Sequence, residues 1–151
     1  MRKLASPWDE LPNESEQQLL MSFNQRMEIG FYHYFNRYFL LLFTYSLIKL
    51  KEKSVSAKIV NDSFTVIWTG KKTFETTDDL KHYLLLIVRN KCARHYHKAR
   101  KEGKPLSPYR YHLGNSASDL EADKLLLDGL EKFLASRLPR ELQQQQGVAP
   151  Q

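Results

Sequence analysis

The sequence contains little of what marks several other protein classes. Six Gly and six Pro among 151 residues are too few for a collagenous chain or a turn-rich sandwich. No apolar run reaches the roughly 18 residues of a membrane-spanning helix, since the longest, residues 39–50, has about 12. The basic start MRK leads into polar residues rather than the apolar core of a signal peptide. We therefore expect a globular protein that neither spans nor crosses a membrane.

Cysteine is nearly absent. Cys92 is the single one, so no internal disulfide can form and no CxxC pair is present for zinc. The five histidines lack carboxylate or thiol partners at metal-ligand spacing, and His95 and His97 would point about 200° apart around a helix. We therefore expect no metal, no cofactor, no catalytic residues and no enzymatic activity, in a reducing compartment such as the bacterial cytoplasm.

Acidic residues are scarce in one segment. Residues 81–104 hold eight Lys or Arg and one acid, Glu102, for a net charge of +7; the whole chain carries +6, so the remainder sums to −1. A positive field focused in this way attracts polyanions and speeds their arrival. The charge pattern thus concerns the partner and not the fold.

The remaining composition, 42% hydrophobic and 12% aromatic, is sufficient for a core, and its periodicity is helical. A capping pattern at Ser15 and Gln18 predicts a first helix over residues 15–29, which Gly30 interrupts. A second helix follows with an apolar stripe formed by Phe31, Tyr34, Phe35, Tyr38, Leu42, Tyr45 and Ile48. The pattern predicts an all-α fold: a compact bundle of about four helices, plus one C-terminal amphipathic helix after a linker.

The third and fourth helices carry the candidate functional surfaces. Ser54 or Ser56 is expected to cap the third helix, residues 57–68, which has an apolar side and a polar side. The polar side comprises Asn61, Asp62 and Thr65. The fourth helix is expected to start at Asp78 or Asp79 and to run to about Lys101, with an early half anchored by apolar residues.

The late half of the fourth helix has a basic ridge. Lys91, Arg94, Lys98 and Lys101 repeat at steps of three and four, and Asn90, His95, Tyr96 and His97 lie among them. A solvated helix face is the alternative interpretation. It is weakened because acids at i±4, which would stabilise such a face, are absent around Lys91, Arg94 and Lys101. Aromatic and amide groups of this kind stack on or hydrogen-bond to bases.

Three segments carry a family resemblance. GFYHYFNRYFLLLFTYSL, VNDSFTVIW and FETTDDLKHYLLLIVRNKCARHYHK resemble region two of extracytoplasmic-function sigma factors, which are bacterial transcription initiation subunits, and in particular those of the Bacteroidetes group. The resemblance covers residues 19–102. It implies a helical domain that binds the clamp helices of the largest RNA polymerase subunit and the minus-ten promoter element, whose strands it holds apart.

The resemblance also implies roles for individual residues. The polymerase-binding residues would be Asn61, Asp62 and Thr65, although they could be ordinary surface residues. The DNA-binding residues would be Lys71, Lys72 and Phe74 in the loop, and Arg89, Asn90, Lys91, Arg94, His95, Lys98 and Lys101 on the fourth helix. Phe74 would receive a flipped base or, alternatively, cap the core. Lys58 departs from the family, many members of which have an acid there, and this reversal is expected to weaken polymerase docking.

The chain departs from the family downstream. We expect a flexible tail over 1–14, the region-two-like domain over 15–103, a linker over 104–118 and an amphipathic helix over 119–140 that is a vestige of region four, where LPRE resembles its entry. Residues 141–151 form a Gln-rich tail, so region four is expected to be truncated or absent. The expected partners are core polymerase, single-stranded minus-ten DNA and an anti-sigma factor. The hypothesis is a sigma factor; the alternative is a sigma-like protein that occupies polymerase or titrates an anti-sigma factor without initiating transcription.

Overall fold

The computed structural model describes residues 15–103 and 117–137, which form α-helices and contain no β-strand. The helices are α1 (Glu16–Asn24), α2 (Glu28–Leu50), α3 (Lys53–Thr69), α4 (Thr77–Lys101) and α5 (Ala117–Arg137). The predicted all-α class is confirmed. Helix α5 packs against α2 and contributes Leu127 to the same core. Over these described residues, no helix is both long and apolar enough to traverse a bilayer.

The start of α1 follows its local sequence. The Gln18 N–H donates to Ser15 Oγ at 3.0 Å, and the Ser15 N–H donates to Gln18 Oε1 at 2.9 Å, so the predicted capping box is confirmed. The predicted end of this helix at residue 29 is wrong. Helix α1 ends at Asn24, and the chain turns through Arg26, whose φ is +59°.

Gly30 allows two helices to approach closely and does not interrupt a helix, contrary to the prediction from the sequence. It lies inside α2, and a Cβ built there would come within 2.4 Å of the backbone nitrogen of Phe23. No side chain fits in that space, so glycine is required for the close approach of α1 to α2. The prediction that Gly30 breaks the helix is therefore wrong, because the sequence alone does not show what passes beside it.

Two predicted caps also differ. Helix α3 begins after Glu52 without a side-chain cap, and Ser56, one of the two predicted caps, is buried within the helix. Helix α4 is capped by Thr76, whose hydroxyl accepts the N–H of Asp79 at 3.0 Å. Asp78 and Asp79 instead occupy the first turn, where their negative charge interacts favourably with the positive end of the helix dipole.

The core is centred on α2. Tyr34, Tyr38, Leu42 and Tyr45 are fully buried, and the Phe23 ring of α1 meets Tyr34 edge-on at 5.8 Å. Burial raises the pKa of Tyr34 to about 12. Aromatic side chains dominate core energetics because each removes a large apolar area from water.

Cys92 belongs to this core, on the side of α4 that faces α2. Its Sγ lies 3.6 Å from Ser46 Oγ, and burial raises the pKa of the thiol to about 11. The thiol is therefore protonated and chemically inert at neutral pH.

A polar junction joins α1, α2 and the start of α4. Glu16 accepts hydrogen bonds from Arg37 and from the Thr77 hydroxyl at 3.0 Å, and its Oε2 lies 3.7 Å from His33 Nε2. The nearby His33 ring, with the Arg37 charge and the Thr77 hydrogen bond, lowers the pKa of Glu16 to about 2 against the opposing effect of burial. The ionised carboxylate is the form that holds this junction together.

Candidate nucleic-acid interface

The loop between α3 and α4 is held by one arginine. The Arg26 guanidinium donates to backbone carbonyls at the end of α3 and in the loop, including those of Trp68 at 3.0 Å, Gly70 at 2.8 Å and Lys72 at 2.8 Å. It also donates to the carbonyl of Phe23 in α1 at 3.1 Å. The C-terminal ends of α1 and α3 both carry partial negative charge, and one cation satisfies carbonyls of both.

Asn24 fixes the far end of the loop. Its Nδ2 donates to the Phe74 carbonyl at 2.8 Å, and its Oδ1 accepts the Phe74 N–H at 2.9 Å. Both backbone groups of one loop residue are thus paired with a single side chain from α1. The loop that carries the predicted DNA-binding residues therefore has a defined conformation that depends on α1.

Phe74 itself is a core residue in this arrangement. The side chain is only 5% exposed, and its ring packs 5.5 Å from Tyr83 and 6.3 Å from Phe23. This position agrees with the alternative prediction for Phe74, in which the side chain caps the core. Lys71 and Lys72 are exposed beside it, where their ammonium groups are accessible to phosphate.

An open groove of about 460 Å³ lies between this loop, the first half of α4 and α5. Its walls are Lys72, Thr73, Phe74, Glu75, Asp79, His82, Tyr83, Leu86, Leu120 and Lys124. The Lys72 ammonium lies 5.2 Å from the centre of the Tyr83 ring, a cation–π distance. An aromatic ring beside a cation is suited to a planar base with its phosphate, and Glu75 and Asp79 add negative charge to the same groove.

The late half of α4 presents the predicted ridge. Arg94, Lys98 and Lys101 are exposed, as is Asn90, and Lys91 is partly exposed. The four cations span about 15 Å along the helix. In the described ranges, none of them forms an ion pair or side-chain hydrogen bond. The ridge therefore lacks neutralisation by these parts of the protein.

Arg89 does not belong to the ridge. It is 4% exposed, and its Nε donates to Asp123 Oδ2 at 2.7 Å beneath α5. The same carboxylate accepts the Tyr45 hydroxyl at 2.9 Å, and its other oxygen lies 3.3 Å from Lys49 Nζ. The predicted placement of Arg89 on the promoter-facing surface is thus wrong in this structure, because α5 covers it and supplies its counter-ion.

A second cation of α4 is withdrawn in the same way. Lys81 is buried and lies 2.8 Å from Asp128 Oδ1 and 3.0 Å from Glu131 Oε1, both on α5. Burial acts to lower the pKa of Lys81, but the hydrogen bonds to these carboxylates outweigh it and raise the pKa. Helix α5 thus places acids over the first half of α4.

His95 is partly engaged as well. Its Nε2 lies 3.0 Å from Glu52 Oε2, at the junction between α2 and α3. The ring is only partly exposed. In this conformation, stacking on a base would require His95 to leave Glu52, so Asn90, Lys91, Arg94, Lys98 and Lys101 are the predicted α4 contacts without an internal partner in the described chain.

The polar side of α3 is on the surface as predicted. Asn61 and Thr65 are exposed, and the Thr65 hydroxyl donates to the Asn61 carbonyl at 3.1 Å. Asp62 accepts from Lys58 Nζ at 2.8 Å, one helical turn away. Lys58 is therefore neutralised within the helix, and its charge is less of an obstacle to a partner than the sequence suggests.

Comparison with known proteins gives no assignment. No protein-family model, curated protein or solved structure matches this chain.

No set of three or more His, Cys, Asp or Glu side chains within residues 15–103 and 117–137 could hold a metal ion.

Sequence reasoning missed the residues that organise the site. Arg26 and Asn24 position the loop, and Asp123 removes Arg89 from the surface. One signal was present for Asp123: it lies one helical turn before Leu127, on the apolar side of its helix. An acid on a buried face indicates a cation opposite it.

Proposed function

We propose that this chain is a sigma-type transcription initiation factor that binds core RNA polymerase and the single-stranded minus-ten element in the cytoplasm. The observation that carries the proposal is the ridge of Lys91, Arg94, Lys98 and Lys101, four cations without an internal acid in the described chain. Like charges at this spacing are mildly destabilising on their own. A polyanion that runs along the helix neutralises them and releases its own counter-ions.

The groove and the loop support a single-stranded partner over a duplex. The phosphates of an opened strand would follow the ridge, and Lys71 and Lys72 would bind phosphate beside the groove. A base that has left the stack needs an aromatic surface, and the partly exposed Tyr83 ring beside Lys72 would offer one. Asn90 is the exposed amide next to the ridge, and an amide can read a base edge.

Polymerase binding is assigned to α3. Its exposed polar face, with Asn61, Asp62 and Thr65, lies on the helix that corresponds to the polymerase-docking helix in the resemblance. The Lys58–Asp62 pair leaves this face without excess charge of either sign. Docking would therefore rely on hydrogen bonds and shape more than on long-range attraction.

The experiment is a titration of a labelled single-stranded oligonucleotide, read by fluorescence anisotropy at several salt concentrations. About four phosphate contacts imply a slope of log affinity against log salt near −3, at about −0.7 per contact. Lys98→Ala should weaken all sequences alike and reduce the slope by about 0.7, whereas Asn90→Ala should relax base preference with the slope unchanged. Binding that is independent of salt, or absent when polymerase is also present, would refute the proposal.

One observation favours the second candidate, a sigma-like protein that occupies polymerase or titrates an anti-sigma factor without initiating transcription. Helix α5 covers Arg89 and Lys81, which reduces the cations that α4 offers to DNA. In this case, pull-down should recover polymerase or an anti-sigma factor while in vitro transcription gives no product. Run-off transcript from a promoter selected by the factor would exclude this candidate.

A further inference from the structure

The outer face of α5 is apolar and lies opposite the face that packs on the bundle. At 100° per residue, Ala122, Leu125, Gly129, Phe133 and Ser136 fall within a sector of about 80°. Leu125 is 72% exposed and Phe133 is 53% exposed. In the described part of the chain, no atom lies within 4 Å of a Cβ built on Gly129. The centre of this face is therefore open to the close approach of another backbone.

The residues of this outer face are arranged symmetrically about Gly129. Leu125 lies four residues before it and Phe133 four residues after it, while Ala122 and Ser136 lie seven residues to either side. A two-fold axis through Gly129 that relates two antiparallel helices would bring Leu125 of one copy level with Phe133 of the other. It would also pair the two small residues, so large and small side chains would alternate along the contact.

The charges along the rim favour the same arrangement. Glu121 lies at the N-terminal end of the outer face, where it also contacts Lys124 at 3.2 Å, and Lys132 and Arg137 lie in its C-terminal half. Antiparallel pairing brings the acidic end of one helix beside the basic end of the other. Parallel pairing would place like charges together and align the two helix dipoles unfavourably.

We propose that the outer face of α5 binds the same face of a second copy of this chain, antiparallel, with the two-fold axis at Gly129. A contact between single helices buries less than the roughly 1,200 Å² of a stable interface, so the dimer should be weak and concentration-dependent. The proposal is independent of DNA binding, because it rests on α5 alone.

The experiment is sedimentation velocity of the full chain over a concentration series up to about 0.5 mM, a range that detects dissociation constants near 0.1 mM. We expect the wild type to move from monomer towards dimer across the series. Leu125→Glu should remain monomeric, because it would bury a charge in the contact. Gly129→Gln should also remain monomeric, because its side chain would keep the helices apart.

Gly129→Gln separates loss of contact from loss of fold. Glutamine is a better helix former than glycine, and residues 15–103 and 117–137 leave space at this position, so the melting temperature of this variant should be equal to or above that of the wild type. A wild type that is monomeric throughout the series would overturn the proposal. The same result is expected if another segment of the chain, and not a second copy, covers the outer face of α5. A dimer that persists in both variants would overturn it equally.

Cysteine cross-linking tests the orientation. Cys92, the only native cysteine, is buried, so introduced thiols react selectively. In the antiparallel pair, two copies of Ser136 lie about 21 Å apart, at 1.5 Å of rise per residue, but Ser136 lies beside Ala122 of the other copy. A mixture of Ala122→Cys and Ser136→Cys should form cross-linked heterodimers under mild oxidation, while neither variant alone should do so. Self-cross-linking of each variant alone would overturn the antiparallel arrangement.

Discussion

The two halves of α4 carry cations of the same kind in opposite situations. In the first half, Lys81 and Arg89 are buried under α5 and bound to its carboxylates. In the second half, Arg94 and Lys98 are exposed and have no acid partner in the described chain. A cation that stabilises the fold and a cation that is available to a ligand can therefore lie five residues apart on one helix, and the difference depends on the packing of a distant segment.

The largest effect should come from replacing the buried Arg89 and the exposed Arg94 of α4, one at a time. Arg89→Met should lower the free energy of unfolding by about 3–5 kcal/mol, because it leaves Asp123 buried without its closest counter-ion. Arg94→Met, the matched control on the exposed half, should change it by less than about 0.5 kcal/mol but weaken oligonucleotide binding. Urea denaturation with an unchanged m-value provides the measurement. Equal costs for the two variants would remove the distinction between the halves.

Arg26 lies outside α4 and is a third kind of cation, because its guanidinium donates hydrogen bonds to backbone carbonyls and not to an acid. Arg26→Lys keeps the charge but replaces a planar five-donor group with three donors on one atom, which cannot reach the carbonyls of α1, α3 and the loop together. We expect a loss of about 1–3 kcal/mol in urea denaturation. Arg100→Lys, at an exposed position on α4, is the control and should be neutral. A neutral Arg26→Lys would mean that charge alone holds the loop.

The pH dependence of stability tests how much one paired acid, Glu16, contributes to the fold. The pKa of Glu16 is about 2 in the folded chain, below its usual value of 4.5, so its contribution is complete above about pH 4.5 and is lost as the pH falls towards 2. Glu16→Gln should therefore be less stable than the wild type at pH 7, and this difference should shrink to near zero at pH 2. Thermal melts at several pH values measure it, with Glu28→Gln, an exposed acid of α2, as the control. A difference independent of pH would indicate a steric effect.

The smallest effect concerns the energetic cost of the ridge to the fold. Lys98→Gln should raise the free energy of unfolding by about 0.2–0.5 kcal/mol, since it removes like-charge contacts with Arg94 and Lys101. Lys58→Gln removes a paired cation at the same type of helical position and should lower it by a similar amount. Urea midpoints measured at low salt resolve differences of this size. A loss of stability in Lys98→Gln would mean that the ridge has an internal partner.

The fold was largely predictable because its determinants are local. Apolar residues at helical spacing predicted all five helices, and the Ser15 capping box marked the start of α1. The turn at Arg26 could not be predicted, because its positive φ follows from the packing of α1 against Gly30 in α2. Local propensity favours other residues at such a φ, and tertiary contacts override it.

The candidate site was predictable only in part, for the same reason. The exposed cations of α4 follow from helical periodicity, which requires only α4 itself. The burial of Arg89 depends on how α5 docks, and the spacing of α4 gives only part of the signal. Buried Leu85 and Cys92 lie one turn from Arg89, whereas exposed Asn90 and Lys98 lie one turn from Arg94, but the acid that pairs with Arg89 comes from α5. Phe74 illustrates the limit in another way, since its packing depends on Asn24, which is 50 residues away.

The buried thiol of Cys92 gives the protein a natural probe of its own opening. Because the group is enclosed between α2 and α4 and has a pKa of about 11, an alkylating reagent can modify it only when those helices separate. The rate of labelling under native conditions therefore reports how often the core exchanges with an open state. Followed by mass spectrometry in the unmodified chain, it would reveal whether a bound ligand or a second copy slows that exchange.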